Sequence, residues 1–421
     1  MFDVLKTSWA LFLGMLLLMV GNGLQGSLLG VRGGLEGFST FEMSVVMSAY
    51  FAGFFGGSRM APAMIRRVGH VRVFAALGSL ISAVLILFPV ITDPVAWALL
   101  RVTIGFCFSG VYVTAESWLN NAASNDNRGK ALSVYMIVQM AGVVAAQGLL
   151  ALGDPSGYVL FIIPSVLVSI SFAPILLSIS PTPAFQQTKP MSLSQLFRVS
   201  PLGCVGIFLL GGVFGAQFGM APVYGTEAGL EVGRISAFLG TLYAGALVFQ
   251  YPIGWLSDRM DRRGLILAVA LAGGTVAMLG AALGSVFAVL LAVAFVAGGM
   301  SNPLYSLLIA YTNDFLEPDD MAAASGGLVF LNGLGAIAGP LIAGWLMGQA
   351  GPGGFWLLIG VLMLALAGYA LYRMTQRPAT PVEEASAYLG IAPTASVVAL
   401  EAAQEWALEA AEEDREDDRE T

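Results

Sequence analysis

The stretch Arg101–Lys130, RVTIGFCFSGVYVTAESWLNNAASNDNRGK, places two ionisable side chains, Arg101 and Glu116, inside an otherwise apolar run. A run of about 20 apolar residues fits a helix across a hydrocarbon layer of about 30 Å. A charge near the middle of such a helix costs at least ~2.5–3.5 kcal/mol on insertion scales, so charges kept there face a polar interior and mark a functional path. The fifteen-residue step from Arg101 to Glu116 spans about 22 Å of helix, which is beyond direct pairing. The two groups need separate partners.

The rest of the chain is the same kind of sequence. Its 421 residues are 57% hydrophobic and 11% charged, with mean hydropathy +0.80, whereas soluble domains carry about 25% charged residues. Windows of about 19 residues give about twelve apolar spans, centred near Leu18, Phe51, Ser82, Val111, Ala141, Val168, Leu210, Tyr243, Gly274, Gly299, Gly335 and Met363. None shows the alternation of a membrane barrel. The expected class is an all-α integral membrane protein with 12 transmembrane helices. Lys6 precedes an apolar run too long for a cleaved leader, which reads as a retained first span.

A shift of 193 residues superimposes one half of the sequence on the other. Tyr50 falls on Tyr243, Arg66 on Arg259, Gly105 on Gly298, Tyr112 on Tyr305, Asn120 on Asn313 and Gly142 on Gly335. An even number of spans per repeat leaves both copies in the same orientation, as in transporters built from two parallel bundles. The expected organisation is a six-helix bundle over residues 1–180, a linker over 181–200 marked by Pro181, Pro183 and Pro190, a second six-helix bundle over 201–376, and an acidic tail over 377–421.

The net charge of -8 is set by that tail, which holds 12 Asp/Glu and three Arg after Gln376, giving -9; the preceding residues hold 15 Asp/Glu and 16 Lys/Arg, giving +1. With the N-terminus inside, 16 Lys/Arg fall on the inner side, Arg32 and Arg234 outside, and Arg101 in the membrane. The bias of basic loops then puts both termini in the cytoplasm of a bacterial plasma membrane. Ala/Glu-rich residues from Val397 to Ala411, followed by EEDREDDRE, read either as a solvated, disordered tail or as a helix laid against the basic loops as a regulatory latch.

Several motifs carry more specific information. GWLSDRMDRR, Gly254–Arg263, lies between the second and third spans of the second half. Gly254 allows close helix approach, and Asp258 at a helix end can accept hydrogen bonds or pair with Arg259 or Arg262, latching one conformational state. In the first half the matching run, Ala61–Arg72, has Ile65 where Asp258 stands, and His70 sits among arginines as a loop residue rather than a proton carrier. Arg101 and Gly105 form R-x-x-x-G, Arg128-Gly129 open the next helix, and Glu116–Asn120 read ESWLN. Together these resemble the major facilitator superfamily, and within it the YcaD-type bacterial facilitators, over most of residues 1–376. Two departures are Ile104 before Gly105 and the absence of a Gly-Pro pair in the fifth span; the second half keeps Gly339-Pro340.

The resemblance implies alternating access by rocking of two bundles around a midplane cavity. Gln25, Arg101, Tyr112, Gln139, Gln217, Tyr305 and Asn332 are the expected lining, with Asn22, Gln147 and Asn302 as further polar residues within spans. For any one of these, interhelix hydrogen bonding is the competing role. For Arg101 the competing role is snorkelling to the outer headgroups, and for Glu116 it is a structural bond to Trp118, Asn120 or a helix end. As a coupling residue, Glu116 would take up and release a proton as access alternates.

No G-x-x-x-x-G-K-[ST] loop for ATP is present, one His and two Cys make no metal set, and no nucleic-acid module appears. No cofactor is expected, and no nucleophile has a base beside it. The expected function is secondary transport of a neutral, amphipathic or weakly charged small solute, with proton-coupled efflux ahead of uptake and an anion as the alternative that Arg101 would select. The expected partners are that solute, protons and membrane lipid, with the chain a monomer. The rival is a membrane sensor or assembly factor of the same fold that uses its tail as output.

Overall fold

A computed structural model describes residues 2–122, 125–177, 191–377, 386 and 388–406, and among them there is no strand. The expected linker over 181–190 and the acidic terminus from 407 onward lie outside the described residues.

Six long helices come first: α1 (Phe2–Leu35), α2 (Thr40–Val68), α3 (His70–Leu87), α4 (Pro94–Ala122), α5 (Asn125–Leu152) and α6 (Val159–Leu177). A short helix, α7 (Leu193–Val199), occupies the described end of the linker. Then follow α8 (Pro201–Gly215), a π-helical turn (Ala216–Met220), α9 (Ala221–Glu227), α10 (Val232–Ser257), α11 (Arg262–Leu283), α12 (Phe287–Asn313), α13 (Pro318–Ala350) and α14 (Gly353–Met374). A helical stretch over 397–406, α15, lies in the tail.

Among the described residues, ten helical segments are long and apolar enough to cross a membrane, and α8, the π turn and α9 form one of them. Helix α6 adds a shorter apolar stretch, Val159–Pro174. Helix α2, which ends in Arg66 and Arg67, is the expected span outside the set. Exposed Val95, Leu99, Leu152, Val248, Tyr251 and Trp345 clothe the outside of the helices with apolar surface, as suits contact with lipid rather than water.

Helix ends follow local chemistry. Ser39 and Glu42 cap α2 reciprocally, the Asp93 carboxylate accepts from the Ala96 N–H at the start of α4, and Ser192 and Gln195 repeat the reciprocal cap on α7.

The packing repeats with the sequence. In the first half α1 packs on α5 and α6, α2 on α4, and α3 on α4 and α6; in the second half α8 packs on α13 and α14, α10 on α12, and α11 on α12 and α14. The same shift relates the closest approaches. A Cβ on Gly105 would lie 2.0 Å from the Tyr50 carbonyl oxygen, and one on Gly298 would lie 2.1 Å from that of Leu242. Only glycine permits either crossing. Between halves α5 meets α10 and α13 meets α2, two contacts that the shift exchanges. The halves also touch at the face away from the arginine loops, where α1 meets α9 and the Thr40 hydroxyl donates to Glu227 at 2.8 Å.

A central cavity closed by the C-terminal segment

A cavity of about 90 Å³ lies between the halves. Gln25 of α1, Arg101 and Tyr112 of α4, and Gln139 of α5 line it, so four of the seven expected lining residues come together. Tyr50 and Tyr243, which the shift superimposes, face it from opposite halves, and Phe218 projects from the π turn and stacks on Tyr243 with ring centroids 5.7 Å apart. A π turn re-aims side chains that a regular helix would carry elsewhere.

Arg101 is 3% exposed and does not snorkel. Its guanidinium carbon sits 4.6 Å from the centre of the Tyr50 ring, and Nη2 lies 3.4 Å from the Met47 sulfur. Among the described residues it pairs with no carboxylate, and its Nε has no acceptor. Gln25, 1% exposed, has neither its amide nitrogen nor its oxygen hydrogen-bonded. Each unpaired buried polar group costs ~1–3 kcal/mol, which a bound molecule supplying the complementary atoms recovers. Asn22 donates toward the hydroxyls of Tyr50 and Tyr112 at 3.3 and 3.2 Å, and the Tyr112 hydroxyl points at the Met19 sulfur at 3.2 Å. The wall is thus aromatic with a cation and an amide set into it.

Glu116 is buried but outside this lining. Its Oε1 accepts from the Tyr135 hydroxyl at 3.2 Å and its Oε2 from the Ser396 backbone N–H at 3.0 Å, so its partners are not Trp118 or Asn120. Tyr135 stands one helical turn before Gln139 on α5, and Gln139 lines the cavity, so these two side chains lie between Glu116 and the cavity wall. Arg101 and Glu116 do have separate partners, as their spacing requires.

Three expected lining residues lie elsewhere. Gln217 is fully buried within the second half and accepts from the Ser301 hydroxyl at 2.9 Å. Tyr305 packs edge-on against Phe214 rather than mirroring Tyr112. Asn332 faces a neighbouring cleft with Tyr50 and Phe214, and its amide donates to the Pro393 carbonyl at 2.9 Å. A polar residue in a span reveals a need for a partner but not which helix face supplies it. His70 is also different from expectation: it begins α3, is buried, and lies 3.0 Å from the Ser117 hydroxyl through Nε2.

The arginine-rich motif grips the tail. Arg262 pairs with Asp314 and lies 3.7 Å from Asp258, whose Oδ1 accepts from the Tyr388 N–H at 3.1 Å. A Cβ on Gly254 would lie 2.6 Å from the Tyr388 ring. Arg259 turns away and covers the Trp255 ring at 4.4 Å. The sequence offered no sign that residues 388–406 would enter the molecule, apart from apolar positions such as Leu400.

Comparison with known proteins agrees with this architecture. The family model for the Major Facilitator Superfamily matches residues 11–244 and 204–406, two matches whose starts lie 193 residues apart. An uncharacterised transporter of that type, YcaD from Salmonella paratyphi A, is 25% identical over 351 residues, covering 82% of this chain and 90% of the relative. One from Yersinia pestis is 26% identical over 345 residues, covering 80% and 88%. A mutant of the nucleoside transporter NupG superimposes with TM-score 0.74 at 16% identity over 87% of this chain and 99% of its own. A bacterial homologue of the human lysosomal transporter Spinster, inward-facing and unoccupied, gives TM-score 0.65 at 16% identity over 96% of each chain. The chain is a multi-pass membrane transporter of the Major Facilitator Superfamily.

Proposed function

We propose that this transporter moves a small polar solute by alternating access, with two six-helix bundles over residues 1–180 and 201–376 rocking about the central cavity. The observation that carries the reading is the pairing, in one cavity between related halves, of an uncompensated guanidinium on Arg101 with an unsatisfied amide on Gln25. Such a site favours a solute with an anionic or strong acceptor group next to an apolar or aromatic part, held against Tyr50, Phe218 and Tyr243. Gln139 and Tyr112 complete the contacts, while Gln217, Tyr305 and Asn332 support the surrounding helices.

Glu116 is the proton site in this reading, reaching the cavity through Tyr135 and Gln139. In this reading both termini lie in the cytoplasm of a bacterial plasma membrane, a topology that the bias of the arginine-rich loops supports. The direction we favour is proton-coupled efflux by a monomer, with Gly254, Asp258 and Arg262 governing the cytoplasmic mouth.

The test begins with a thermal-shift screen of polar metabolites on the purified chain, because a ligand of the folded state raises apparent stability. Nucleosides, the class transported by NupG, belong in it. A binder is then followed across proteoliposomes under an imposed proton gradient. Accumulation that disappears in Arg101→Lys supports the reading; binding with no flux in the intact protein would instead favour the sensor.

A further inference from the structure

We propose that residues 386 and 388–406 belong to an intramolecular plug: a hairpin wedged between the halves at the arginine-rich face, which must leave before that face can close. The inference rests on alternating access for its consequence and on the following contacts for its geometry.

Side chains of the membrane helices receive backbone groups of the segment at Ser386, Tyr388, Ile391, Pro393 and Ser396. The N–H of Ser386 donates to Asp314 at 2.9 Å, that of Tyr388 to Asp258 at 3.1 Å, that of Ile391 to the Ser306 hydroxyl at 2.9 Å and that of Ser396 to Glu116 at 3.0 Å. The Pro393 carbonyl accepts from Asn332. An irregular segment at membrane depth is tolerated only where every such group finds a protein partner. Side chains add to the set: the Tyr388 hydroxyl accepts from the Gln250 amide at 3.0 Å, and Gln404 reaches Ser325 at 2.9 Å and Asn313 at 3.0 Å. Ile391, Leu400 and Ala403 are buried in the main apolar core.

The path is a hairpin. It enters beside Asp314 and Asp258 at the ends of α12 and α10, turns at Pro393-Thr394, and returns as α15 to Asn313. Pro393 bonds Asn332 and Gln404 bonds Ser325, seven residues apart on α13, so the turn lies about 10 Å deeper than the exit of α15. The turn lines the central cavity beside Arg101 and Gln25.

Helices α10, α12 and α13 hold one side of the hairpin while α4 of the other half holds Ser396 through Glu116. Closing this face would bring those elements together through the volume the hairpin fills. The plug therefore keeps the opposite face shut and stands between the cytoplasm and the solute cavity. Gly254 belongs to this receptor, since a side chain there would collide with Tyr388.

The test uses the full-length chain in lipid nanodiscs, with Cys107 and Cys204, both buried, replaced by alanine, and a membrane-impermeant maleimide as probe. Labelling of a shielded site tracks the opened fraction, so Thr394→Cys should react at least about tenfold more slowly than the exposed Thr375→Cys. Adding Ile391→Asp and Leu400→Asp should remove that gap. In the same background Ser44→Cys, which lies between the halves toward the opposite face against Gly344, should label about threefold faster or more, because the released halves visit the other state. Equal rates at Thr394→Cys and Thr375→Cys in the otherwise intact chain overturn the plug whatever the double variant does. An unchanged Ser44→Cys rate after undocking overturns its restraint on alternation. Neither result bears on whether a solute crosses, which the flux assay decides separately.

Discussion

Arg101 concentrates the chemistry in a single side chain. A buried cation costs at least ~2.5–3.5 kcal/mol, and a cation–π contact such as that with Tyr50 returns about 2 kcal/mol. At the proposed site a bound solute would offset that imbalance. Arg101→Leu should therefore leave the thermal midpoint of the ligand-free protein unchanged or raised, while abolishing ligand-induced stabilisation. A lowered midpoint in ligand-free protein would show instead that Arg101 serves structure. Glu116 calls for a different experiment. Glu116→Gln keeps an amide oxygen to accept from the Ser396 N–H and an NH2 that can donate to the Tyr135 hydroxyl, but it cannot carry a proton, so exchange down a solute gradient should persist while proton-driven accumulation is lost. Retained accumulation would remove Glu116 from the coupling step.

Two kinds of element decide the architecture, the glycine crossings and the tail helix. Gly105→Ala and Gly298→Ala each place a methyl within 2.0 and 2.1 Å of a carbonyl oxygen on the facing helix. Each should lower stability by about 1–3 kcal/mol through overpacking, and the pair should act additively because the sites lie in different halves. Urea or thermal midpoints in detergent measure both. In α15, burial and then the charge of Glu405 push the Glu401 carboxyl up to about 7. A docked value above the solvated ~4.3 means that docking is fully favoured below the solvated value, weakens progressively as pH rises from there to about 7, and changes no further above it. The other charges along the docked segment are Glu116, Asp258, Asp314 and Arg262. Labelling of Thr394→Cys, normalised to Thr375→Cys, should rise between roughly pH 4.5 and 7 and level off above that, and Glu401→Gln should flatten the rise. These elements also show where sequence is legible. R-x-x-x-G set Gly105 in the fourth span without saying which helix it meets; the α4–α2 crossing supplies the reason, because only a glycine fits there. Ala/Glu-rich residues after Val397 announced a helix but not its place, because solvated, surface-bound and inserted helices share that composition.

For the whole molecule, hydropathy, the basic loops and the shift of 193 residues were enough for a two-part helical membrane protein. Periodicity is a property of the entire chain and survives local exceptions. The cavity was less legible. Gln25, Arg101, Tyr112 and Gln139 converge as expected, yet Gln217 and Tyr305 point into the second half, and the repeat therefore does not carry the polar lining from one half to the other. The aromatic residues Tyr50, Phe218 and Tyr243 escaped notice as lining because a buried ring in an apolar span looks the same whether it faces a cavity or a neighbour. Pro393 and Thr394 escaped it because nothing in a polar tail specifies insertion.

The central claim is that the halves rock about the shared cavity, and paired spin labels in nanodiscs address it most directly. One pair joins Arg67 to Met260 across the arginine-rich face; the other joins Leu35 to Val286 across the opposite face, all four positions being exposed. Distances are recorded from acid to alkaline pH and with the tail undocked by Ile391→Asp and Leu400→Asp. The account predicts reciprocal change, with the first distance shortening in the same fraction of molecules in which the second lengthens. Distances that stay fixed across both faces under every condition, or that lengthen together, would contradict it.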